Sequence, residues 1–261
     1  MRLDSLLVER GLAPSRARAS ALVLAGKVLV NGQKVEKSGA SIDIASEIRV
    51  LGEDWKYVSR GGLKLERALD HWRIDVQGRV CMDVGASTGG FTDCLLQRGA
   101  ARVLAVDTGY GQIAFALRQD RRVRLLEKTN ARYLTREQIG ETVSLIAMDV
   151  SFISATLVLP AVLAAGFPDP PKACELIVLV KPQFEVGRAK VAKGGIVRDA
   201  EAQQQAVEKV RAAVVGLGAC RTDVVESPIL GAAGNRELLL YAVFGGSPSA
   251  RELVDPERSN P

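Results

Sequence analysis

The sequence predicts an α/β protein: a doubly wound, Rossmann-like sheet of seven strands with the last one antiparallel, preceded by a small α+β unit. Three observations carry this. Apolar strand patterns and helical patterns alternate from Arg79 to Leu217, which means a parallel sheet covered on both faces. The run Val80–Phe91 reads as buried strand, glycine-rich turn and first turn of a helix. Between the last two strand patterns lies only Ser227–Gly234, with no helical repeat, so the final strand must return antiparallel.

In chain order, Leu3, Leu6 and Leu7 have helical spacing, and Ser15 is placed to cap a second helix over Arg16–Leu24, stopped by Gly26. Val28–Val30 and Gln33–Val35 flank Asn31-Gly32, a strong hairpin signal. Ile42–Val50 offers further strand. Residues 53–59 read as a linker. Ser59-Arg60-Gly61-Gly62 then caps a helix from Leu63 to Trp72. The strands of the body fall at Arg79–Val84, Ala101–Asp107, Val123–Leu126, Val143–Val150, Leu176–Val180, Cys220–Glu226 and Glu237–Phe244, with a clear helix from Ala200 to Leu217 ended by Gly218. The expected boundaries are 1–52 for the small domain, 60–246 for the body and 247–261 for a frayed tail rich in Pro, Ser and charge.

The glycine turn, with Asp107 closing the next strand, is the pattern of an adenosine-bearing cofactor on such a sheet. The G-x-G-x-x-G order of a pyrophosphate site is absent: Ala86-Ser87-Thr88 separate Gly85 from Gly89-Gly90. That favours S-adenosylmethionine, which carries no phosphate. Asp83 is placed to face its ammonium group and Asp107 its ribose hydroxyls.

Ligands on doubly wound sheets bind at the carboxyl ends of the parallel strands. Asp149 and Lys181 end two of these strands, and Glu237 begins the reversed one, so all three fall on one edge. Lys64 lies in the helix ahead of the first parallel strand. A lysine among acids at such an edge can bind a ribose 2′-hydroxyl and take its proton. Read singly, each of the four is an ion pair at a strand end.

Lys64, Asp149, Lys181 and Glu237 resemble the Lys-Asp-Lys-Glu tetrad of the FtsJ-like ribose 2′-O-methyltransferases. The segments Ser59–Leu65, Asp83–Thr92, Thr129–Arg132, Asp149–Ser154 and Val180–Gly187, behind a basic head like an S4-type RNA-binding domain, are similar to the TlyA (haemolysin A) family of rRNA methyltransferases. The resemblance implies a class I methyltransferase fold and S-adenosylmethionine-dependent 2′-O-methylation of a ribosomal cytidine. The short N-terminus and tail are similar to a subgroup acting on large-subunit (23S) rRNA. It implies a cofactor site of Asp83, Gly85, Ala86, Ser87, Thr88, Gly89, Gly90, Phe91, Asp107, Asn130, Ala131 and Asp149, with the tetrad as catalytic group. Expected RNA contacts are Arg10, Arg16, Arg18, Lys27, Lys34, Arg60, Arg188 and Lys190. Between Arg10 and Lys37 the only acid is Glu36. Gly187–Gly195 forms a basic, glycine-rich loop after Lys181.

The composition excludes other classes. His71 is the only histidine, and the four cysteines (Cys81, Cys94, Cys174, Cys220) form no C-x-x-C pair, which argues against histidine triads and a metal site. The N-terminus reads as no signal peptide, and no stretch approaches the roughly 20 apolar residues of a membrane span, so the chain is expected in the cytoplasm. A net charge of +5 and a pI near 9.1 suit an rRNA or ribosomal-subunit partner. The alternatives are a membrane-active haemolysin and a non-catalytic RNA-binding assembly factor.

Overall fold

The computed structural model describes residues 1–10, 12–13, 15–51, 56–171, 173–187, 190–192, 194–231 and 234–245. The chain separates into two compact units, one up to Trp55 and one from Lys56 on.

In the smaller unit, α1 (Leu3–Glu9) and α2 (Arg16–Leu24) pack on a three-stranded antiparallel sheet, β1 (Val28–Val30) between β2 (Gln33–Lys34) and β3 (Ile48–Val50). Leu3, Leu7, Ala19, Leu22, Val23, Val28 and Val30 form its core. Ser15 caps α2 by accepting from the Arg18 N–H at 3.2 Å. Asn31 and Gly32, at φ 50° and 79°, make the hairpin turn, as both central residues of a type I′ turn require. Strand structure in the stretch from Ile42 is confined to β3, plus a bridge from Ser41 to Arg2.

The larger unit has a seven-stranded sheet ordered β6-β5-β4-β7-β8-β10-β9. Its strands are β4 (Val80–Val84), β5 (Arg102–Val106), β6 (Val123–Leu126), β7 (Leu145–Met148), β8 (Cys174–Val180), β9 (Ala219–Glu226) and β10 (Leu238–Phe244). Only β10 runs against its neighbours β8 and β9. One face is covered by α3 (Gly61–His71), α4 (Gly90–Gln97) and α5 (Phe115–Gln119). The other is covered by α7 (Ala155–Gly166) and α9 (Ala200–Gly216). Short α6 (Arg136–Ile139) and α8 (Pro182–Glu185) complete the unit. The central strands are apolar on both faces, as parallel strands buried between helix layers must be. Met82, Ile146, Val178 and Leu240 enter the α7/α9 core, and Cys81, Leu145, Ile177 and Leu239 the α3/α4 core.

Residues 56–58, expected in a linker, belong to this unit instead. Tyr57 is buried in the α3/α4 core and donates to Glu66 at 3.0 Å, and the Val58 N–H donates to Asp93 at 2.8 Å. Here an aromatic ring inside a polar stretch marked packing rather than chain freedom. Helix α3 starts at Gly61, with no side-chain cap from Ser59. The N-terminal turns of α3 and α4 cross closely: a Cβ on Gly90 would stand 2.3 Å from Ser59 Oγ, 2.9 Å from the Gly62 nitrogen and 3.2 Å from Gly61 Cα.

Gly90→Ala is therefore expected to push two helices apart. Overpacking of this kind costs about 1–3 kcal/mol, and thermal melting should fall by roughly 2–4 °C per kcal/mol. A second expectation concerns Asp83, which is 0% exposed. Thr92 donates to its Oδ2 through N–H (2.8 Å) and hydroxyl (2.6 Å), while Oδ1 has no partner. Burial raises its carboxyl to about 7. The folded state therefore holds a proton that the unfolded chain has released from about pH 4 upward, so stability falls between about pH 4 and 7 and stays reduced above that. Asp83→Asn should raise the melting temperature of the cofactor-free protein by several degrees at pH 8 and by much less at pH 5, as read by scanning calorimetry.

Candidate active site

The register of the sheet determines which side chains meet. Val84 pairs with Val106 on one side and Met148 on the other, and Val180 pairs with Leu238. The residues just past these rungs are Gly85, Asp107, Asp149, Lys181 and Glu237. Side chains alternate along a strand with period two. Leu145 and Ala147, Ile177 and Leu179, and Leu239 and Tyr241 all face the α3/α4 layer. Asp149, Lys181 and Glu237 continue the same parity, so they project toward the helix that carries Lys64. Lys64 stands one turn before Ala68 on the buried face of α3.

All four line one cavity of about 520 Å³, within the usual range for ligand pockets. Lys64 Nζ donates to Glu237 Oε2 at 2.5 Å, and both residues are buried. Lys181 Nζ lies 2.5 Å from Asp149 Oδ1, a charge contact without hydrogen-bond alignment, and donates to Ser151 Oγ at 2.7 Å. The Lys181 side chain is 11% exposed. The site thus holds two lysine–carboxylate pairs, largely out of water, where charge interactions are strong.

Of the expected cofactor residues, Gly85, Ala86, Ser87, Thr88, Gly90, Phe91 and Asp149 line this cavity. Gly85 has φ 88°, and a Cβ there would stand 2.5 Å from the Asp149 carbonyl oxygen, so the turn and the Asp149 loop approach as closely as backbone allows. Asp107 accepts from the N–H of Ser87 (2.7 Å) and of Gly109 (2.6 Å). It fastens the glycine turn to the end of β5, with lone pairs left for hydroxyl donors. The structure places the remaining members differently. Asp83 lies under the turn, where its Oδ2 holds Thr92 in the first turn of α4 and its Oδ1 is left without a partner. Gly89 caps α4 in a left-handed conformation. Asn130 caps a 3-10 turn, Ala131–Tyr133, accepting from the Arg132 N–H at 3.0 Å. Ala131 packs into the α7/α9 core. Even so, the set fits a cofactor with ammonium and sulfonium charges: carboxylates stand along this edge, and Asp83 Oδ1 is a buried acceptor with no partner.

The expected RNA contacts divide. Arg60 lines the cavity mouth. Arg18 is half-buried and Lys27 likewise. Arg16 reaches Asp4 at 3.3 Å; the Asp4 carboxyl, hydrogen-bonded by Arg2 and approached by Arg16, is held below the usual carboxylate range. Arg10 is engaged within its own unit, donating to the carbonyls of Ser46 (2.8 Å) and Ile44. Lys34 lies over Gly26 and 3.8 Å from Glu36, and Lys190 bonds Gln205. Arg188 is outside the described residues.

Several residues at or near the site were not named as site residues from the sequence, although Phe152 and Arg132 fall within segments that carried the resemblance. Asn235, buried, donates to the Gly195 carbonyl (2.8 Å), accepts from Val197 N–H (2.9 Å), and lines the cavity. Phe152 lines it too, 92% exposed at φ 64°, with its ring 5.4 Å from that of Phe184. A bulky residue in that backbone region is uncommon and costs about 1 kcal/mol or more. On the loops after β5 and β6, Lys128 stands 4.6 Å from the exposed ring of Tyr110, and Arg132 5.7 Å from that of Tyr133. Tyr110, between Gly109 and Gly111, had a signal of its own, an isolated aromatic in a glycine-rich turn; Phe152, Tyr133 and Asn235 had none of that kind.

Comparison with known proteins gives the family. Residues 57–244 match the FtsJ-like methyltransferase family and residues 1–47 the S4 domain. The chain is 45% identical over 241 residues to the 16S/23S rRNA (cytidine-2′-O)-methyltransferase TlyA of Mycobacterium tuberculosis, covering 92% of this chain and 88% of the relative. It is 40% identical to Hemolysin A of Brachyspira hyodysenteriae, covering 94% of this chain and 100% of the relative. A solved structure from Streptococcus thermophilus, described as a hemolysin candidate, superposes with a TM-score of 0.71 at 41% identity, covering 95% of this chain and 90% of the other. The chain therefore belongs to the TlyA family of FtsJ-like methyltransferases, enzymes whose methyl donor is S-adenosylmethionine, with an S4 domain ahead of the methyltransferase body.

Proposed function

We propose that the chain transfers a methyl group from S-adenosylmethionine to the 2′-hydroxyl of a cytidine in ribosomal RNA, with Lys64, Asp149, Lys181 and Glu237 as the catalytic group. The observation that carries this reading is the pair of water-poor lysine–carboxylate contacts, Lys64–Glu237 and Lys181–Asp149, in the cavity floored by the glycine turn. S-adenosylmethionine bound there would supply the methyl and would leave as a neutral thioether, the electron pair of the C–S bond staying with sulfur. A ribose hydroxyl is a weak nucleophile and must lose its proton as its oxygen bonds to the methyl carbon. Lys181, once its amine has given up its own proton, is the group placed to take that proton, and Asp149 holds the resulting ammonium. Lys64, oriented by Glu237, faces the developing charge on oxygen.

The rim of the cavity suits a nucleotide. Phe152 offers an exposed ring face beside Phe184, and stacking of a base on an aromatic ring contributes about 1–3 kcal/mol. The cation–aromatic pairs at Tyr110 and Tyr133 add charge and stacking surface on the loops after neighbouring strands. The cytidine target rests on the relative from M. tuberculosis, which is named for both 16S and 23S RNA. Both subunit RNAs are therefore substrates for the test, with the large-subunit RNA the first choice. A cytoplasmic place of action follows from that substrate. The described residues contain no helix long and apolar enough to cross a membrane, and the cavity chemistry gives the haemolysin name no support.

Lys181→Ala is expected to fold and bind both partners yet lose methyl transfer by at least about a hundredfold, the low end for removal of a general base. Lys181→Arg should not restore it, because guanidinium keeps its proton. Single-turnover transfer of labelled methyl to rRNA checks this; near-normal transfer by the arginine variant would leave Lys181 an electrostatic role only. In the S4 unit, Arg16→Ala with Arg18→Ala should lower the salt slope of RNA affinity by about one for each phosphate no longer neutralised, without changing cofactor affinity. An unchanged slope in filter-binding titrations would assign these arginines to Asp4 and solvent.

A further inference from the structure

Glu185 is a buried carboxylate with no part in the chemistry above. It is 7% exposed and ends the short helix α8. Its Oε2 accepts from Ser154 Oγ at 2.5 Å, and its Oε1 accepts from the Ala155 N–H at 2.6 Å. Ala155 is the first residue of α7, whose N-cap residue, Ser154, gives the helix no side-chain cap of its own. Glu185 therefore caps α7 from a different segment of the chain. A carboxylate there also meets the positive end of the helix dipole. Lys209 of α9 closes the junction, 3.2 Å from Glu185 Oε2 and donating to the Glu185 carbonyl at 2.9 Å.

The two segments joined in this way are the ones that carry the reacting pair. The loop 149–154 starts at Asp149, and the turn 181–185 starts at Lys181. At the near end they meet through the Lys181–Asp149 and Lys181–Ser151 contacts, in the middle through the Phe152 and Phe184 rings, and at the far end through Glu185. Resting on the function proposed above, we infer that Glu185 is a positioning residue: it locks these two loops into one frame and so fixes Lys181 against Asp149. A displacement of about 1 Å in a reacting group can cost on the order of a hundredfold in rate, which is why a clamp with no contact to substrate matters to the chemical step.

The test uses the full chain with three variants, Glu185→Ala, Glu185→Gln and Ser154→Ala. For each it measures single-turnover methyl transfer to rRNA at saturating RNA and cofactor, S-adenosylmethionine and RNA affinities, and thermal melting. Glu185→Ala should slow transfer at least tenfold while both affinities stay within about twofold. Glu185→Gln keeps an acceptor for the Ala155 N–H and should recover the rate to within about threefold of the original. A residue that merely stabilised the fold would lower the melting temperature and leave the rate per folded molecule unchanged. A folded Glu185→Ala with the original rate overturns the inference, as does a loss confined to affinity, or a glutamine variant as slow as the alanine one. If Glu185→Ala fails to fold, Ser154→Ala decides: a severalfold slower transfer with unchanged affinities supports the frame, and an unchanged rate overturns it. An unaltered chain that methylates no ribose would overturn the proposed function and this inference with it.

Discussion

The site depends on the two-residue period of three neighbouring strands, β7, β8 and β10. Once Leu145, Ile177 and Leu239 are committed to the α3/α4 core, the parity of each strand determines where its terminal residue points. Asp149, Lys181 and Glu237 come from strands far apart in sequence, yet all face the same helix layer. A one-residue slip in β8 would send Lys181 to the α7/α9 side and bury Ile177 wrongly. The apolar core thus enforces the register, and the register delivers the polar group. This is also why Lys64 can come from a helix 173 residues before its partner Glu237.

Placing charges there is expensive. A buried ion pair seldom repays the desolvation of both partners and is often no more stable than an apolar pair of the same volume. Lys64–Glu237 is such a pair, and Asp83 adds a buried carboxyl pushed up to about 7. The adjoining strands are fully apolar: Met82, Ile146, Val178 and Leu240 are all 0% exposed. Burial of a large aliphatic side chain contributes about 1.5–3 kcal/mol, so a sheet of this kind can carry several polar penalties at one edge. The strained backbone at Phe152 belongs with them, held between Asp149 and the clamp at Ser154.

What could be read from the sequence follows from the same physics. The strands were legible because β-branched apolar runs end at Gly, Pro or charge; β8, for example, stops at Lys181-Pro182 as expected. The glycine turn was legible because only glycine permits φ 88° at Gly85 against the Asp149 carbonyl. That Asp149, Lys181 and Glu237 share one edge was legible because strand ends can be counted; Lys64, in a helix, was grouped with them through the resemblance. Contacts that form only on folding left no local trace. Glu185 finds Ser154 across 31 residues, Asn235 finds Gly195 across 40, and Tyr57 turns a polar stretch into core. Asp83 has the motif of a ligand contact; its place within β4 also puts it beneath the turn, where one carboxylate oxygen holds helix α4 and the other stays without a partner.

Charge was the least legible property, because a count of basic residues says nothing about their partners. The clustering of basic residues between Arg10 and Lys37 suggested an RNA face on the head domain. In the folded unit the Arg10 guanidinium is turned to carbonyls of the 44–46 turn, and Arg16 shares Asp4 with Arg2. A guanidinium that already donates internally must exchange those bonds to meet a phosphate, which lowers its net gain. Lys128 and Arg132, in contrast, stand beside exposed rings, after strand β6. A cation against an aromatic face keeps its charge available while part of its hydration is already displaced. The same number of basic residues therefore has unequal value toward RNA, and the value is set by what each side chain touches in the folded protein.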